Sequence, residues 1–108
     1  MKVSNYADTK PVQELPGVTV RDIIKKEEAP HFVMRLFEVE PGSATAPHVH
    51  WWEHEVFVLS GCGMVVGEHE KAAIQAGSVI YIPPEERHHF LNNGSDPLRY
   101  LLLNPLRP

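Results

Sequence analysis

Hydrophobic and polar residues alternate in short runs along this chain, and each run ends at a turn signal. Ten prolines and seven glycines divide the sequence into pieces too short for most helices. Helical periodicity is confined to residues 22–28, a segment too short and too poorly capped to change the class. We therefore predict an all-β sandwich or barrel. The runs rich in β-branched, aromatic or aliphatic residues, and so predicted as strands, are 18–24, 32–40, 54–59, 63–66, 78–82, 88–91 and 98–103.

Length and composition limit the chain to one domain. Its 108 residues suit a single core, so we take 1–108 as one domain, with residues 1–17 as a candidate N-terminal arm. A net charge of −4 and scattered basic residues argue against a nucleic-acid partner. We also expect no membrane partner and a cytoplasmic location, because no leader-like or membrane-length apolar run is evident. The lone Cys62 excludes an internal disulfide.

Four histidines have a spacing that predicts a metal site. His48 and His50 lie two residues apart, so on a strand both imidazoles point to the same face. His54 and His88 are expected to supply a third and a fourth nitrogen from neighbouring strands. Neutral imidazole is the commonest protein ligand for a transition metal, and this favours a metal site over incidental pairing.

The alternation of residues within two strands supports the same site. His54 shares a strand face with Val56 and Val58, and His88 shares a face with Phe90. If these apolar residues line the interior, both imidazoles point inward with them. The site then lies in a pocket with apolar walls.

Two segments resemble the two sequence motifs of the cupin superfamily. PGSATAPHVHWWEHEVFVLSG resembles the first motif and GSVIYIPPEERHHFLN the second, so that the matched region is residues 42–92. The resemblance implies a double-stranded β-helix, or jelly roll, with a metal at its centre. The chain departs from the pattern at two positions. His54 stands where most cupins have a glutamate ligand, with Glu55 one residue beyond, and Glu85 occupies the usual glycine position.

With His54 at this position, the chain resembles the small single-domain cupins with four histidine ligands, including their manganese-binding members. That resemblance implies His48, His50, His54 and His88 as ligands of one divalent transition metal per chain, with manganese preferred. Iron, copper, nickel and zinc remain open, because affinity alone favours copper or zinc. Four neutral ligands leave the full charge on the ion and two octahedral positions open for water, substrate or dioxygen. We identify no catalytic side chain and no further cofactor, so the chemistry is expected to centre on the metal.

Five residues are predicted to form the wall of a substrate pocket. Trp52 lies between two of the candidate ligands and forms either an aromatic wall or part of the barrel packing. The remaining residues share a strand face with a ligand or with each other, and simple packing explains them equally well. The predicted wall consists of Trp52, Val56, Phe90, Tyr100 and Leu102.

Three functions follow from this site. The leading hypothesis is a metal-dependent oxidoreductase of the dioxygenase kind, acting on a small organic substrate and dioxygen. The first alternative is a non-redox isomerase or lyase, which usually needs a proton-transfer residue beside the metal. The second is a binding module without turnover. We also expect a homodimer, because exposed sheet edges need covering, with the segments VTVRDII and NPLRP as candidates for that role.

Overall fold

A computed structural model describes residues 1–106 of the chain, and these residues form β-strands joined by short turns. One short 3-10 helix, Tyr6–Asp8, precedes the strands. No helix in the described part is long and apolar enough to span a membrane. The strands, in chain order, are β1 (Val12–Leu15), β2 (Val18–Ile24), β3 (Phe32–Val39), β4 (His54–Ser60), β5 (Cys62–Val66), β6 (Lys71–Gln75), β7 (Val79–Ile82), β8 (His89–Leu91) and β9 (Leu98–Pro105).

The strands form two antiparallel sheets. The larger sheet has the order β1-β2-β3-β9-β4-β7, and the smaller has the order β6-β5-β8. Two isolated bridges, Ala44 with Leu91 and His48 with His88, continue the pairing along the segment before β4. The predicted all-β jelly-roll class is confirmed by this arrangement.

The core lies between the two sheets and follows the period of two expected for strands with one buried face. In β4 the buried residues are His54, Val56 and Val58, as the alternation of the sequence predicted. In β9 they are Leu98, Tyr100 and Leu102, in the middle of the larger sheet. The remaining apolar residues of the core cluster are Val18, Val20, Phe37, Val39, Ile74, Ile82 and Phe90.

One strand and one pairing were not predicted from the sequence. The strand β6 has only one buried residue, Ile74, and its two alanines have low β-propensity, so its pattern gave no signal. The N-terminal arm is partly a strand, because β1 pairs with β2 of the same chain across a turn at Gly17, whose φ is 78°. Residues 22–28 form no helix.

The two segments proposed to cover exposed edges occupy different places. The segment VTVRDII is β2, which lies between β1 and β3 and is therefore not an edge. The end of NPLRP, residues 107 and 108, lies outside the described residues. An exposed apolar face does exist on β4 and the edge strand β7, at Phe57, Leu59, Val79 and Tyr81. The homodimer itself stays a prediction.

A buried asparagine connects the turns beside the smaller sheet. Asn92 is 1% exposed, and its Nδ2 donates to the carbonyl oxygens of Val39 and Asp96, each at 2.8 Å. Its Oδ1 accepts from the backbone N–H of Gly94 at 2.8 Å. Its own carbonyl oxygen accepts from Gly42 N at 2.9 Å. One buried side chain thus bonds three backbone groups, one from β3 and two from the turn before β9.

We predict that Asn92→Ala destabilises the protein by about 2–4 kcal/mol, because each buried backbone group left unpaired costs roughly 1–3 kcal/mol. Urea unfolding followed by circular dichroism measures the change. Asn93→Ala, at the exposed neighbouring position, is the control and should change the free energy of unfolding by less than about 0.5 kcal/mol. Equal effects of the two substitutions would show that Asn92 has no such role.

Candidate metal centre

Three histidine side chains come together inside the barrel. One ring nitrogen from each of His50, His54 and His88 lies within 4.8 Å of the others. Nε2 of His54 and Nε2 of His50 lie 3.4 Å apart. His54 and His88 are buried and His50 is half-buried, so the group lies at the inner end of a pocket.

Each imidazole is brought to the site by a different part of the chain. His54 is the first residue of β4 and faces inward with the core residues that follow it. His88 precedes β8 and is paired with His48 through two backbone hydrogen bonds of 2.9 and 3.0 Å. His50 lies in the segment between β3 and β4, where its carbonyl oxygen accepts from Glu85 N at 2.7 Å.

Backbone carbonyls fix the orientation of two of the rings. Nδ1 of His88 donates to the carbonyl oxygen of Glu86 at 2.9 Å, and Nδ1 of His54 donates to that of Leu103 at 3.4 Å. A neutral imidazole carries one ring proton, so these bonds place it on Nδ1 and leave the Nε2 lone pair free. Ligating histidines in metal sites commonly have such a partner on the second nitrogen.

The three imidazoles are held in the neutral form. Burial, followed by the neighbouring imidazoles of His88 and His50, lowers the pKa of His54 from 6.5 to about 4. Burial and neighbouring imidazoles also lower the pKa of His50 and of His88. Metal ligation requires unprotonated imidazole, so near neutral pH the site needs little proton release before binding an ion.

The spacing of the nitrogens fits a transition metal. Imidazole nitrogens bind such ions at about 2.1 Å, so two of them on one ion lie roughly 3.0 to 4.2 Å apart, depending on the angle between them. The distance of 3.4 Å between the Nε2 atoms of His50 and His54 falls in this range. With its proton on Nδ1, His54 presents the Nε2 lone pair towards Nε2 of His50. The group of His50, His54 and His88 can therefore hold a metal ion.

The fourth predicted ligand, His48, lies outside this group of three. Its side chain is exposed, and its ring centroid is 5.9 Å from that of His50 and 6.5 Å from that of His88. The backbone pairing with His88 nevertheless places it beside the site, and it lines the same cavity.

The histidines open into a cavity of about 460 Å³. Four of the five predicted wall residues line it: Trp52, Phe90, Tyr100 and Leu102. The fifth, Val56, is not among the lining residues and lies in the hydrophobic core. It has the predicted inward direction, but it lies one full pleat deeper along β4 than His54.

Stacked aromatic rings form one wall of the cavity. Tyr100 lies between Phe90 and Phe37, with ring centroids 4.4 and 5.2 Å away and nearly parallel planes. Trp52 stacks on the ring of His50 at 4.0 Å, so it forms part of the wall and also restrains a candidate ligand. Trp52 Nε1 is buried without a hydrogen-bond partner.

Several residues at the cavity were missed by sequence reasoning. Glu14 belongs to β1 of the N-terminal arm, Arg35 shares the inward face of β3 with Phe37, and Asn104 extends the inward face of β9 beyond the predicted strand end. Arg35 is neutralised by Asp22, with Nε and Oδ1 2.6 Å apart. The alternation of Arg35, Phe37 and Val39 along β3 could have indicated that Arg35 faces the cavity.

The antiparallel sheets and the histidine group define a jelly-roll protein with a candidate metal centre. The sequence matches the profile of the cupin domain family over residues 35–104, more than half of its length, so the chain belongs to the cupin family. It is 31% identical over 101 residues to an uncharacterized protein of Methanocaldococcus jannaschii, covering 91% of this chain and 81% of that protein.

Solved structures show the same fold. The polyketide cyclase RemF of Streptomyces resistomycificus is 33% identical and has a TM-score of 0.88, over 99% of this chain and 80% of the cyclase. A predicted oxalate decarboxylase of Thermotoga maritima is 23% identical with a TM-score of 0.85, over 98% of this chain and 100% of that chain. The second similarity supports the fold alone.

We predict that His54→Ala weakens binding of a divalent metal by at least about 100-fold, because it removes a buried ligand directly. Metal content after purification without a histidine tag, measured by plasma mass spectrometry, tests this. His69→Ala, at an exposed histidine in a turn, is the matched control and should retain the metal of the unaltered protein. Retention of metal in His54→Ala would place the binding site elsewhere.

We also predict that the metal-free protein loses stability as the pH falls from about 6.5 towards 4. The pKa of His54 is lower in the folded than in the unfolded chain, so protons bind the unfolded chain first and acid favours unfolding in that interval. Between about pH 7 and about pH 4.5 the loss should be on the order of 2 kcal/mol, after allowing for solvent screening at the pocket. An equal loss of stability over this pH interval in His54→Ala would show that the loss does not arise from His54.

Proposed function

We propose that the protein is a metal-dependent enzyme that activates a carbonyl group on a planar organic substrate without net oxidation. The observation that carries the proposal is the group of three neutral imidazoles, which opens into a cavity walled by stacked aromatic rings. A cavity of this size suits a molecule of one to a few rings.

The aromatic wall binds and orients the substrate. Tyr100 is held between Phe90 and Phe37, so the wall is rigid and presents flat apolar surface to the cavity. Planar substrates stack on such surfaces, and the apolar walls exclude water from the reacting carbonyl. Trp52, stacked on His50, closes the wall beside the histidine group.

Two residues of the cavity can hold a proton for the reaction. Burial and then the nearby carboxylate of Glu14 raise the pKa of Tyr100 well above its usual value, so the phenol stays protonated and remains a hydrogen-bond donor. Glu14 lines the same cavity and can accept a proton from a carbon made acidic by an adjacent carbonyl. A proton-transfer residue of this kind is what a non-redox reaction requires.

A divalent ion held by His50, His54 and His88 would supply Lewis-acid polarisation of the substrate oxygen. The likeness to a polyketide cyclase supports a substrate with several carbonyl groups and a ring-closing or isomerising reaction. We propose that His48 completes a four-histidine set by rotation of its side chain, since its backbone is already paired with that of His88. Manganese is the metal that the resemblance of the ligand pattern favours.

The non-redox reaction thus takes precedence over the dioxygenase hypothesis that the sequence alone favoured. No base was assigned from the sequence, whereas in the structure Glu14 lines the cavity together with Tyr100, a predicted wall residue. No comparable feature of the described residues favours oxygen chemistry.

We predict that metal-loaded protein converts aromatic or polycarbonyl ketones to isomers or dehydrated products at the same rate in air and under argon. Mass spectrometry of the products distinguishes these from products that have gained oxygen atoms. Glu14→Gln should lower kcat by about 10²–10⁴-fold, as expected for loss of a general base, without changing metal content. Turnover that requires dioxygen would overturn the proposal in favour of a dioxygenase, and binding without conversion would favour a ligand-binding module.

A further inference from the structure

A second cavity lies beside the one that contains the histidine group. Its volume is about 640 Å³, and three residues, Arg35, Trp52 and Asn104, line both cavities. From this shared wall the second cavity extends to the turn that follows β2, where Lys25 and Lys26 line it. The reaction proposed above occupies only the first cavity, so the second is a space next to the site with no role yet assigned.

The second cavity is lined by more cations than acids, although the chain as a whole has a net charge of −4. The cations are Lys25, Lys26 and Arg35, and the acids are Asp22 and Glu27. Asp22 is paired with Arg35, whereas neither lysine forms an ion pair among residues 1–106. Two lysines against one remaining acid leave a surplus of positive charge, which favours an anionic ligand.

Arg35 lies where the two cavities meet, and two contacts orient its side chain. Its Nε donates to Oδ1 of Asp22 at 2.6 Å, and its guanidinium carbon is 5.9 Å from the ring centroid of Phe37 in the aromatic wall. The contact with Asp22 is made through Nε, and the two Nη groups carry the other four N–H donors of a guanidinium. A guanidinium oriented in this way matches the two oxygens of a carboxylate.

Aromatic surface continues from the histidine group into the second cavity. Trp52 stacks on the ring of His50 at 4.0 Å, and its ring centroid is 5.4 Å from that of Trp51. Both tryptophans line the second cavity. A planar substrate that stacks along this surface therefore has one end at the histidine group and the other end beside the cations.

We propose that the second cavity is a subsite for a carboxylate carried by the substrate at the end remote from the histidine group. Arg35 binds the carboxylate oxygens, and Lys25 and Lys26 supply the surplus positive charge. The inference rests on the proposed function, because it places the reacting carbonyl at the histidine group. It narrows the substrate class to planar ketones that carry an acid, and it makes Arg35 a residue that determines specificity.

Two probes that differ in one charge test this inference. The first is an acetyl-naphthoate with the ketone and the carboxylate at opposite ends of the ring system, and the second is its neutral methyl ester. Calorimetry on the full chain gives the dissociation constants, in the metal-free protein first because a carboxylate can also bind an ion. Quenching of tryptophan fluorescence reports binding at the second cavity, since both tryptophans of the chain line it.

The variants are Arg35→Gln and the double substitution Lys25→Gln with Lys26→Gln. Both lysines are exposed, so the double variant should fold like the unaltered protein and keeps the test valid if Arg35→Gln is unstable. Arg99→Gln is the matched control. Arg99 forms a similar ion pair, with its Nε 3.0 Å from Oε2 of Glu38, but it lies outside the buried alternation of β9 and lines neither cavity.

The unaltered protein should bind the acid at least about tenfold more tightly than the ester, because charge-assisted hydrogen bonds are stronger than neutral ones. Arg35→Gln should weaken binding of the acid by about 10- to 50-fold. The double lysine variant should weaken it by about three- to tenfold, and this effect should shrink as salt is raised. Binding of the ester in every variant, and of the acid in Arg99→Gln, should stay within about twofold of the unaltered protein.

Equal affinity of the metal-free protein for the acid and the ester would overturn the inference, as would equal weakening in Arg35→Gln and Arg99→Gln. A preference for the acid that appears only after metal is added would also overturn it, since the ion would then be the group that binds the carboxylate. The expected pattern of binding, with no turnover of any ketone, would support the subsite while contradicting the proposed reaction.

Discussion

The burial of uncharged imidazole rings at one site is the constraint on which the rest of this structure depends. A buried ring nitrogen must find a hydrogen-bond partner or a metal, because an unsatisfied polar group in the interior is costly. In this chain Nδ1 of His54 and Nδ1 of His88 are satisfied by backbone carbonyls. Their Nε2 atoms are thereby left without a backbone partner, and Nε2 of His54 lies 3.4 Å from Nε2 of His50, so that an ion bound there would satisfy these nitrogens together. The sheets and turns position the rings, and the lowered pKa values keep them neutral.

The fold holds the site rigid by placing its parts on strand starts and on backbone-bonded turns. His54 begins a central strand, and His88 is fixed by two backbone bonds to His48. The inward residues of β9 connect the core to the cavity, since Leu98 packs in the core and Tyr100 and Leu102 belong to both. The geometry of the candidate ligands and the substrate wall therefore both depend on the packing of β9. A change in the core beneath Tyr100 is expected to disturb both.

Much of this arrangement could be predicted from the sequence because strands have a strict period of two. The alternation in β4 predicted the inward direction of His54 and Val56, and the alternation over residues 88–91 placed Phe90 on the side of His88. Alternation predicts which face of the sheet a side chain lies on, but not whether it lies at the pocket or deeper in the core. This is why Val56 was assigned to the pocket, although it lies in the core.

Other features could not be predicted from the local pattern. The short strands β1 and β6 carry little hydrophobic signal and are formed by pairing with their neighbours, so Glu14 was not recognised as a cavity residue. The exposed position of the His48 ring could not be predicted from strand parity, because residues 48–50 lie outside the strands, with His48 in an isolated bridge.

The central claim is that buried neutral imidazoles hold a metal ion at the inner end of the cavity. X-ray absorption spectroscopy of the full chain, at the edge of whichever metal it retains on purification, tests this most directly. We predict a first coordination shell with at least three imidazole nitrogens at about 2.0–2.2 Å. A shell of oxygen atoms alone, with no imidazole scattering, would contradict it.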